Sequence, residues 1–245
     1  MRSRSSAFYN GQRGFAIMKW GAVIVAAGRG TRMGVADNKA YLPAAGRPIL
    51  AYAIEAFERC GRVEEIVIVA GVGEIGRAEA LVRAERFGKV AAVVAGGAER
   101  QDSVEAGVAA LRTEGVLVHD AARPLVTPEL IAACADGAET CGAATLAVPV
   151  KDTIKVAEGG LIVSTPDRSS LCAVQTPQAF GRLALLEAHR LAREAGASAT
   201  DDAMLFERLG RKVAAVPGHY TNLKITTPED LLVAELFLER RRRET

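Results

Sequence analysis

The stretch Gly21-Ala22-Val23-Ile24-Val25-Ala26-Ala27-Gly28-Arg29-Gly30-Thr31-Arg32-Met33-Gly34 decides the fold. Its opening run, Gly21–Ala27, is apolar and partly β-branched with no polar alternation, the pattern of a parallel strand buried on both faces. The glycines that follow let a backbone approach a phosphate closely, and successive amides in such a loop form a nest for anions. A buried strand leading directly into a glycine-rich loop opens a doubly wound α/β sheet of Rossmann-like type.

The rest of the chain extends this pattern. Glu65–Ala70, Val90–Ala95, Gly115–His119 and Ala143–Val150 are further apolar runs of strand length. Helices with readable ends lie between them. Pro48 opens one whose Ile49, Ala53, Ile54 and Phe57 fall at helical spacing, and Gly61 closes it. Thr127-Pro128-Glu129 and Thr227-Pro228-Glu229 each read as a cap followed by a first helical turn. The last helix ends in arginines 240–243, cations that a helix C-terminus favours. Strands joined through helices imply right-handed crossovers and a mostly parallel sheet, with the ligand at the strands' carboxyl ends. One segment, about 151–174, breaks the alternation: strand Thr153–Val156, turn Ala157–Gly160, strand Leu161–Thr165, then Pro166 and a polar stretch. It is expected to form a projecting hairpin arm. A hairpin alone is marginally stable, so a second subunit is its natural support.

Composition narrows the class. The chain has 245 residues, 31 basic against 29 acidic side chains, a net charge of +2 and 49% hydrophobic residues. These are globular values, which exclude intrinsic disorder. No apolar run approaches the roughly 20 residues of a membrane-spanning helix, and the near-neutral charge excludes a broad nucleic-acid surface. Cys60, Cys134, Cys141 and Cys172 show no paired metal-ligand spacing and read as small hydrophobes in a reducing cytoplasm. Residues 1–17, with Arg2, Arg4, Arg13 and serines but no apolar h-region, read as a disordered tail or a start placed too early. Residues 18–245 are then expected to form one domain.

The loop's chemistry separates two nucleotide-binding readings. A dinucleotide site calls for an acid at the end of strand two, where this chain has Val69-Ala70-Gly71. There is no Gly-Lys-Ser/Thr of a P-loop ATPase either. Arg29, Arg32 and Lys39 instead supply the density of cations that suits a triphosphate. Lys39 stands out because only seven of the 31 basic residues are lysines. Asp120, at the end of a buried strand, suits a turn or cap as well as a ligand. His119 falls on the strand's opposite side, where a satisfied core histidine is the commoner case. Thr200-Asp201-Asp202 suits an N-cap for the helix that follows as well as a place near the site.

Taken in order, the loop, Lys39 with Tyr41-Leu42-Pro43, Gly96-Gly97 with Arg100 and Ser103-Val104, His119-Asp120-Ala121-Ala122-Arg123-Pro124, Asp152-Thr153, Gln175-Thr176-Pro177-Gln178 and Asn222-Leu223-Lys224-Ile225-Thr226 closely resemble the 2-C-methyl-D-erythritol 4-phosphate cytidylyltransferase family. The resemblance covers about residues 19–240. It implies a cytidylyltransferase of the non-mevalonate isoprenoid pathway, in which a substrate phosphate oxygen attacks the α-phosphorus of CTP and pyrophosphate leaves with Mg²⁺. The metal would be held largely by the nucleotide phosphates, with no dedicated protein ligand set.

By resemblance, Arg32 and Lys39 lie against the CTP phosphates. Backbone groups of Ala26, Ala27, Gly28 and Gly97, with the Ser103 hydroxyl and the loop residues Arg29 and Gly30, hold the nucleotide. Asp120 and Arg123 bind near the substrate hydroxyls or the metal. Thr153 and Arg168 on the arm grip the methylerythritol phosphate in the neighbouring subunit's site, with Lys224 completing that grip. Ala98 stands where the family prefers Asp. The same residues leave open a relative acting on another polyol phosphate, such as ribitol 5-phosphate. A non-catalytic nucleotide-binding regulator is the rival of a different class. Arg32, Lys39, Arg168 and Lys224 together speak against it, because charges that act only in a transition state serve no binder.

Overall fold

A computed structural model of the protein describes residues 18–28 and 37–244. The expectations for residues 1–17 and for Arg29, Gly30 and Arg32 lie outside the described residues. The first half of the chain runs β1 (Trp20–Val25), a ribbon of β2 (Pro43–Ala44) and β3 (Arg47–Pro48), α1 (Ile49–Arg59), β4 (Val63–Ala70), α2 (Ile75–Glu85), β5 (Val90–Ala95), α3 (Arg100–Ala110) and β6 (Gly115–Asp120). The second half runs α4 (Pro128–Cys141), β7 (Ala143–Pro149), β8 (Val156–Glu158), β9 (Leu161–Ser164), β10 (Cys172–Gly181), α5 (Arg182–Glu194), α6 (Asp202–Arg208), β11 (Ala214–Pro217) and α7 (Pro228–Glu244).

Among the described residues, seven strands form one sheet in the order β11-β7-β10-β6-β1-β4-β5. β6, β1, β4 and β5 pair in parallel with one another and β11 is parallel to β7, while β10 runs antiparallel to both β6 and β7. The fold is thus α/β with a mostly parallel sheet. Period-two geometry explains how an all-apolar strand serves two layers. Ala22, Ile24, Ile66, Ile68 and Leu117 join Leu50, Ile54 and Phe57 of α1 and Ile131 of α4 on one face. Val23, Val67, Val69, Val116 and Val118 meet Val104 and Val108 of α3, Leu185 of α5 and Phe206 of α6 on the other. Burying one such valine or leucine contributes roughly 1.5–3 kcal/mol, so both faces of each central strand anchor the loops at its end.

Strand order reverses about β1, whose neighbours are β6 on one side and β4 on the other. Such a switch opens a crevice beyond the strands' carboxyl ends. There the β1 and β5 loops approach closely: a Cβ on Gly96 would lie 2.5 Å from the Cβ of Ala27, so only glycine fits.

The strand β10 escapes a sequence reading because Gln175, Thr176 and Gln178 make its centre look polar. All three are buried, and Gln178 donates to Thr145 Oγ1 (3.1 Å) and Asp201 Oδ2 (2.8 Å). The hairpin arm is present with a tighter turn than expected. Glu158 pairs with Leu161 across Gly159-Gly160, whose φ values of +56° and +84° belong to a two-residue hairpin turn. Its first strand therefore begins at Val156 rather than Thr153. Residues 151–165 are all exposed, and Leu161, Ile162 and Val163 are 73%, 67% and 53% accessible. The terminal arginines do more than cap α7: Arg241 Nη2 donates to Leu125 O and Arg242 Nη1 to Ala45 O, each at 2.9 Å.

Candidate active site

A cleft of about 610 Å³ lies at the carboxyl edge of β1, β5 and β6, and its walls include Ala26, Ala27, Gly28, Lys39, Gly97, Arg100, Ser103, Asp120 and Lys224. That size suits a small organic ligand, for which pockets run roughly 300–1,000 Å³. A smaller pocket of about 240 Å³ shares Arg100, Asp120 and Lys224 with it and adds Arg123 and Thr176.

The first wall is the end of β1. Ala26 N donates to Val69 O (2.8 Å), and Ala26 O accepts from Asn38 Nδ2 (2.7 Å), so both backbone groups of Ala26 are paired within the protein. Asn38 ties three segments together: its Nδ2 also donates to Glu74 Oε2 (2.7 Å), and its Oδ1 accepts from Ala40 N (3.0 Å). The last of these bonds caps the single 3-10 turn Lys39–Tyr41, which fixes the backbone that carries Lys39.

The second wall is the start of α3. Ser103 Oγ accepts from Gly97 N and donates to Glu99 O, both at 3.1 Å. The hydroxyl therefore shapes the double-glycine loop from within. Glu99 and Asp102 cap the helix reciprocally.

The third wall is the turn after β6 and the segment 222–226 docked on it. Ile225 N donates to Ala122 O (2.9 Å), and Asn222 Nδ2 donates to Thr176 O (3.0 Å) and Gln175 Oε1 (3.2 Å). Lys39 Nζ donates to Ile225 O (3.1 Å), and Lys224 Nζ lies 2.6 Å from Asp120 Oδ2. The two lysines thus share one rim despite their distance in sequence. Burial by itself would raise the Asp120 carboxyl. The charges of Arg100, Lys224 and Arg123 outweigh it and hold Asp120 well below the usual carboxylate range. Arg123 is buried, with Nη1 on Asn222 O (2.7 Å) and Nη2 on Val174 O (3.4 Å), which braces the same segment.

The arm residues stand apart from this cleft within the chain. Arg168 is exposed, donates to Lys151 O (2.7 Å) and lines a separate hollow with Asp167 and Tyr220 at the foot of the arm. Thr153 is exposed on the same arm. Lys224, expected to act with the arm of a neighbouring subunit, lies on the cleft with Lys39 and Asp120.

His119 is fully buried, tilted against Phe57 with ring centroids 5.0 Å apart. Its Nε2 faces Arg123 O at 3.1 Å, and a carbonyl only accepts, so the ring proton sits on Nε2. Nδ1 then accepts from the Thr176 hydroxyl (3.0 Å), which itself accepts from Asp120 N (3.1 Å). Burial pulls the His119 pKa down to about 4. It is a neutral brace behind Asp120. Burial likewise pushes the Cys134 thiol up to about 12, as suits an inert core cysteine.

Asn38, Asp202 and Arg100 are site residues that sequence reasoning left without a role. Asn38 precedes the scarce Lys39, the one signal pointing to it. In Thr200-Asp201-Asp202 the N-cap is Asp201, whose Oδ1 accepts from Met204 N (3.0 Å). Asp202 turns under the cleft, 2.9 Å from Arg100 Nη2.

Comparison with known proteins agrees with this geometry. The profile of the family described as "IspD: 2-C-methyl-D-erythritol 4-phosphate cytidylyltransferase" matches residues 21–240. A protein of that name from Caldanaerobacter subterraneus is 49% identical over 228 residues, covering 91% of this chain and all of that one. The bifunctional enzyme IspD/IspF of Desulforudis audaxviator is 52% identical over 220 residues; the match covers 89% of this chain and 56% of that longer protein. The crystal structure of 2-C-methyl-D-erythritol 4-phosphate cytidylyltransferase from Thermus thermophilus superposes with a TM-score of 0.75 at 35% identity, covering 89% of this chain and 98% of that one.

Proposed function

The chain belongs to the 2-C-methyl-D-erythritol 4-phosphate cytidylyltransferase family, and from that premise we propose how its cleft carries out the transfer. The protein moves CMP from CTP to 2-C-methyl-D-erythritol 4-phosphate, giving 4-diphosphocytidyl-2-C-methyl-D-erythritol and pyrophosphate, in the non-mevalonate route to isoprenoids. A phosphate oxygen of the acceptor forms a bond to the α-phosphorus of CTP as the bond from that phosphorus to the β-phosphate oxygen breaks. The acceptor phosphate is already ionised at neutral pH, so the step needs no general base. What it needs is alignment of two anions and fixed positive charge around the phosphorus.

The observation that carries this assignment of roles is the gathering of Lys39, Lys224, Arg100 and Asp120 on one cleft with the glycine-rich turn. Lys39, with Arg32 on the sequence motif alone, faces the CTP phosphates. Ala27, Gly28 and Gly97 present backbone to the nucleotide, and Ser103 sets the shape of that backbone. Carbonyls of this loop accept from the cytosine amine, a contact that uracil lacks. Asp120 and Lys224 meet the acceptor, and Arg123 keeps their segment in place.

The Mg²⁺ that the family implies fits the residues present. Among the described residues no group of three His, Cys, Asp or Glu is placed to hold an ion. Asp120 and Glu99 are the carboxylates on the cleft wall, and Glu99 is engaged in its helix cap. A lone carboxylate beside bound phosphates suits Mg²⁺, which takes one or two carboxylates and keeps substrate phosphates and waters as its other ligands. When bound it neutralises charge on the departing pyrophosphate.

The arm is proposed to complete the site in trans within a homodimer. Leu161, Ile162 and Val163 expose apolar surface that a second copy would cover, and neither Arg168 nor Thr153 lines the chain's own cleft. The guanidinium fork of Arg168 suits a phosphate. All four cysteines are free, which accords with a cytoplasmic protein, and no described helix is long and apolar enough to cross a membrane.

The test is a substrate panel: CTP and Mg²⁺ with methylerythritol phosphate, ribitol 5-phosphate and other polyol phosphates, read as pyrophosphate release. Fastest turnover with methylerythritol phosphate is expected. Preference for ribitol phosphate would overturn the acceptor, and binding of CTP without turnover on any acceptor would favour the non-catalytic regulator.

A further inference from the structure

From the cleft wall inward, four charges alternate in a row drawn from separate parts of the fold. Asp202 at the start of α6 pairs with Arg100 at the start of α3 (Nη2 to Oδ2, 2.9 Å). Arg100 then meets Asp120 at the end of β6 (Nε to Oδ1, 3.5 Å), and the other oxygen of Asp120 meets Lys224 at 2.6 Å. Side-chain exposure is 2% at Asp202, 28% at Arg100, 12% at Asp120 and 36% at Lys224. The row has a buried end and an open end.

We propose that Arg100 is a positioning residue: anchored on the buried carboxylate of Asp202, its guanidinium holds the Asp120 carboxylate where that carboxylate seats the Lys224 ammonium. Its bearing on turnover rests on the function proposed above; the juxtaposition itself does not.

The anchor is rigid. Gln178 of β10, itself fully buried, accepts from the backbone N of Asp202 (3.0 Å) and of Ala203 (3.1 Å) while donating to Asp201. Asp202 has one other neighbour that could carry positive charge, the fully buried His189, whose Nε2 is 3.6 Å from Oδ1. Neither ring nitrogen of His189 has a hydrogen-bond partner, and burial lowers its pKa, so it stays neutral. Among the described residues Arg100 is therefore the counter-charge of Asp202, and a buried carboxylate left without its cation is strongly unfavourable. That cost holds the guanidinium in place. The planar fork offers separate nitrogens, Nη2 to Asp202 and Nε to Asp120, where a lysine has a single ammonium.

The experiment reads Lys224 directly and then turnover. Reductive ¹³C-methylation gives each lysine a resolved resonance, with Lys224 assigned by its absence in Lys224→Arg. Arg100→Gln and Asp202→Asn should each move the Lys224 resonance and leave those of Lys19, Lys89 and Lys212 in place. An unmoved Lys224 signal overturns the proposal whether or not the enzyme turns over. In the kinetic arm, loss of alignment in Arg100→Gln should lower kcat/KM for the acceptor by about 10–100-fold, with Arg100→Lys recovering less than about a tenth of that loss. In an Asp120→Asn background the same Arg100→Gln change should cost under about threefold, the signature of two residues acting as one unit. An equal loss in both backgrounds would mean that Arg100 acts independently of Asp120 and would overturn the proposal. Should Arg100→Gln fold poorly, Arg100→Gln/Asp202→Asn, which removes the orphaned carboxylate, carries the same comparison. Absence of turnover in the unmodified protein would count against the assigned reaction and leave the resonance to decide the positioning.

Discussion

The Lys224 ammonium lies 2.6 Å from the Asp120 carboxylate, while the ammonium of Lys39 donates to the carbonyl of the next residue, Ile225. Two of seven lysines in an arginine-rich chain thus meet on one rim. The overall charge of +2 conceals this local excess, which is what a site for two phosphorylated anions requires.

Lys39→Ala should lower turnover by about 10²–10³, the usual effect of removing one preorganised donor from a charged transition state. The loss should appear chiefly in kcat, since the interaction strengthens as charge builds on the phosphorus. Steady-state pyrophosphate release at saturating CTP measures it. A change below about tenfold would make Lys39 a bystander.

How far the sequence announces this site depends on the residue. Lys39, Asp120 and Lys224 follow from a glycine-rich loop, a strand end and a motif, and all three face one cleft. The parallel strands follow from apolar runs such as Glu65–Ala70. The strand β10 does not, because its polar centre is buried through hydrogen bonds to residues such as Thr145 and Asp201 that are remote in sequence. Asp202 is hidden for a related reason: beside a residue that caps α6, its local pattern is that of a helix start, and only the folded chain brings Arg100 to it. Long-range electrostatic pairing leaves no periodic trace.

The arm yields a complementation test. Arg168→Ala and Lys39→Ala subunits, each inactive alone, should regain activity when mixed, because a mixed dimer holds one site with both residues intact. Subunit exchange is confirmed separately by mass-tagged chains. Exchange without recovered activity would show that Arg168 serves its own chain or no site at all.

Thr176 offers a test of the support behind Asp120. Its hydroxyl accepts from Asp120 N and donates to His119 Nδ1, so Thr176→Val leaves a buried donor and a buried acceptor unmatched. The expected cost is about 1–3 kcal/mol of stability, read from urea midpoints, with Thr176→Ser close to the parent. Equal midpoints for Val and Thr would mean that water or a shifted backbone replaces the hydroxyl.

Acid should weaken the fold in two stages. Burial lowers the folded pKa of His119 to about 4 and that of His189 in the same direction, while the unfolded histidine titrates near about 6.5. For His119 the unfolded chain binds more protons between these limits, so stability is complete above about pH 6.5 and falls as pH drops toward about 4, by at most about 1.4 kcal/mol per pH unit, and His189 adds a decline of the same sign. Asp120 has the opposite starting charge but also a lowered folded pKa. Its contribution is present above its unfolded pKa of about 3.9 and is lost only below it. Urea midpoints measured from about pH 7 to about pH 5 should therefore decline, and His119→Gln should flatten the decline while leaving the loss below about pH 4 in place. Midpoints that stay level across that range would show that both imidazoles can be protonated inside the fold, and the neutral brace assigned to His119 would have to be abandoned.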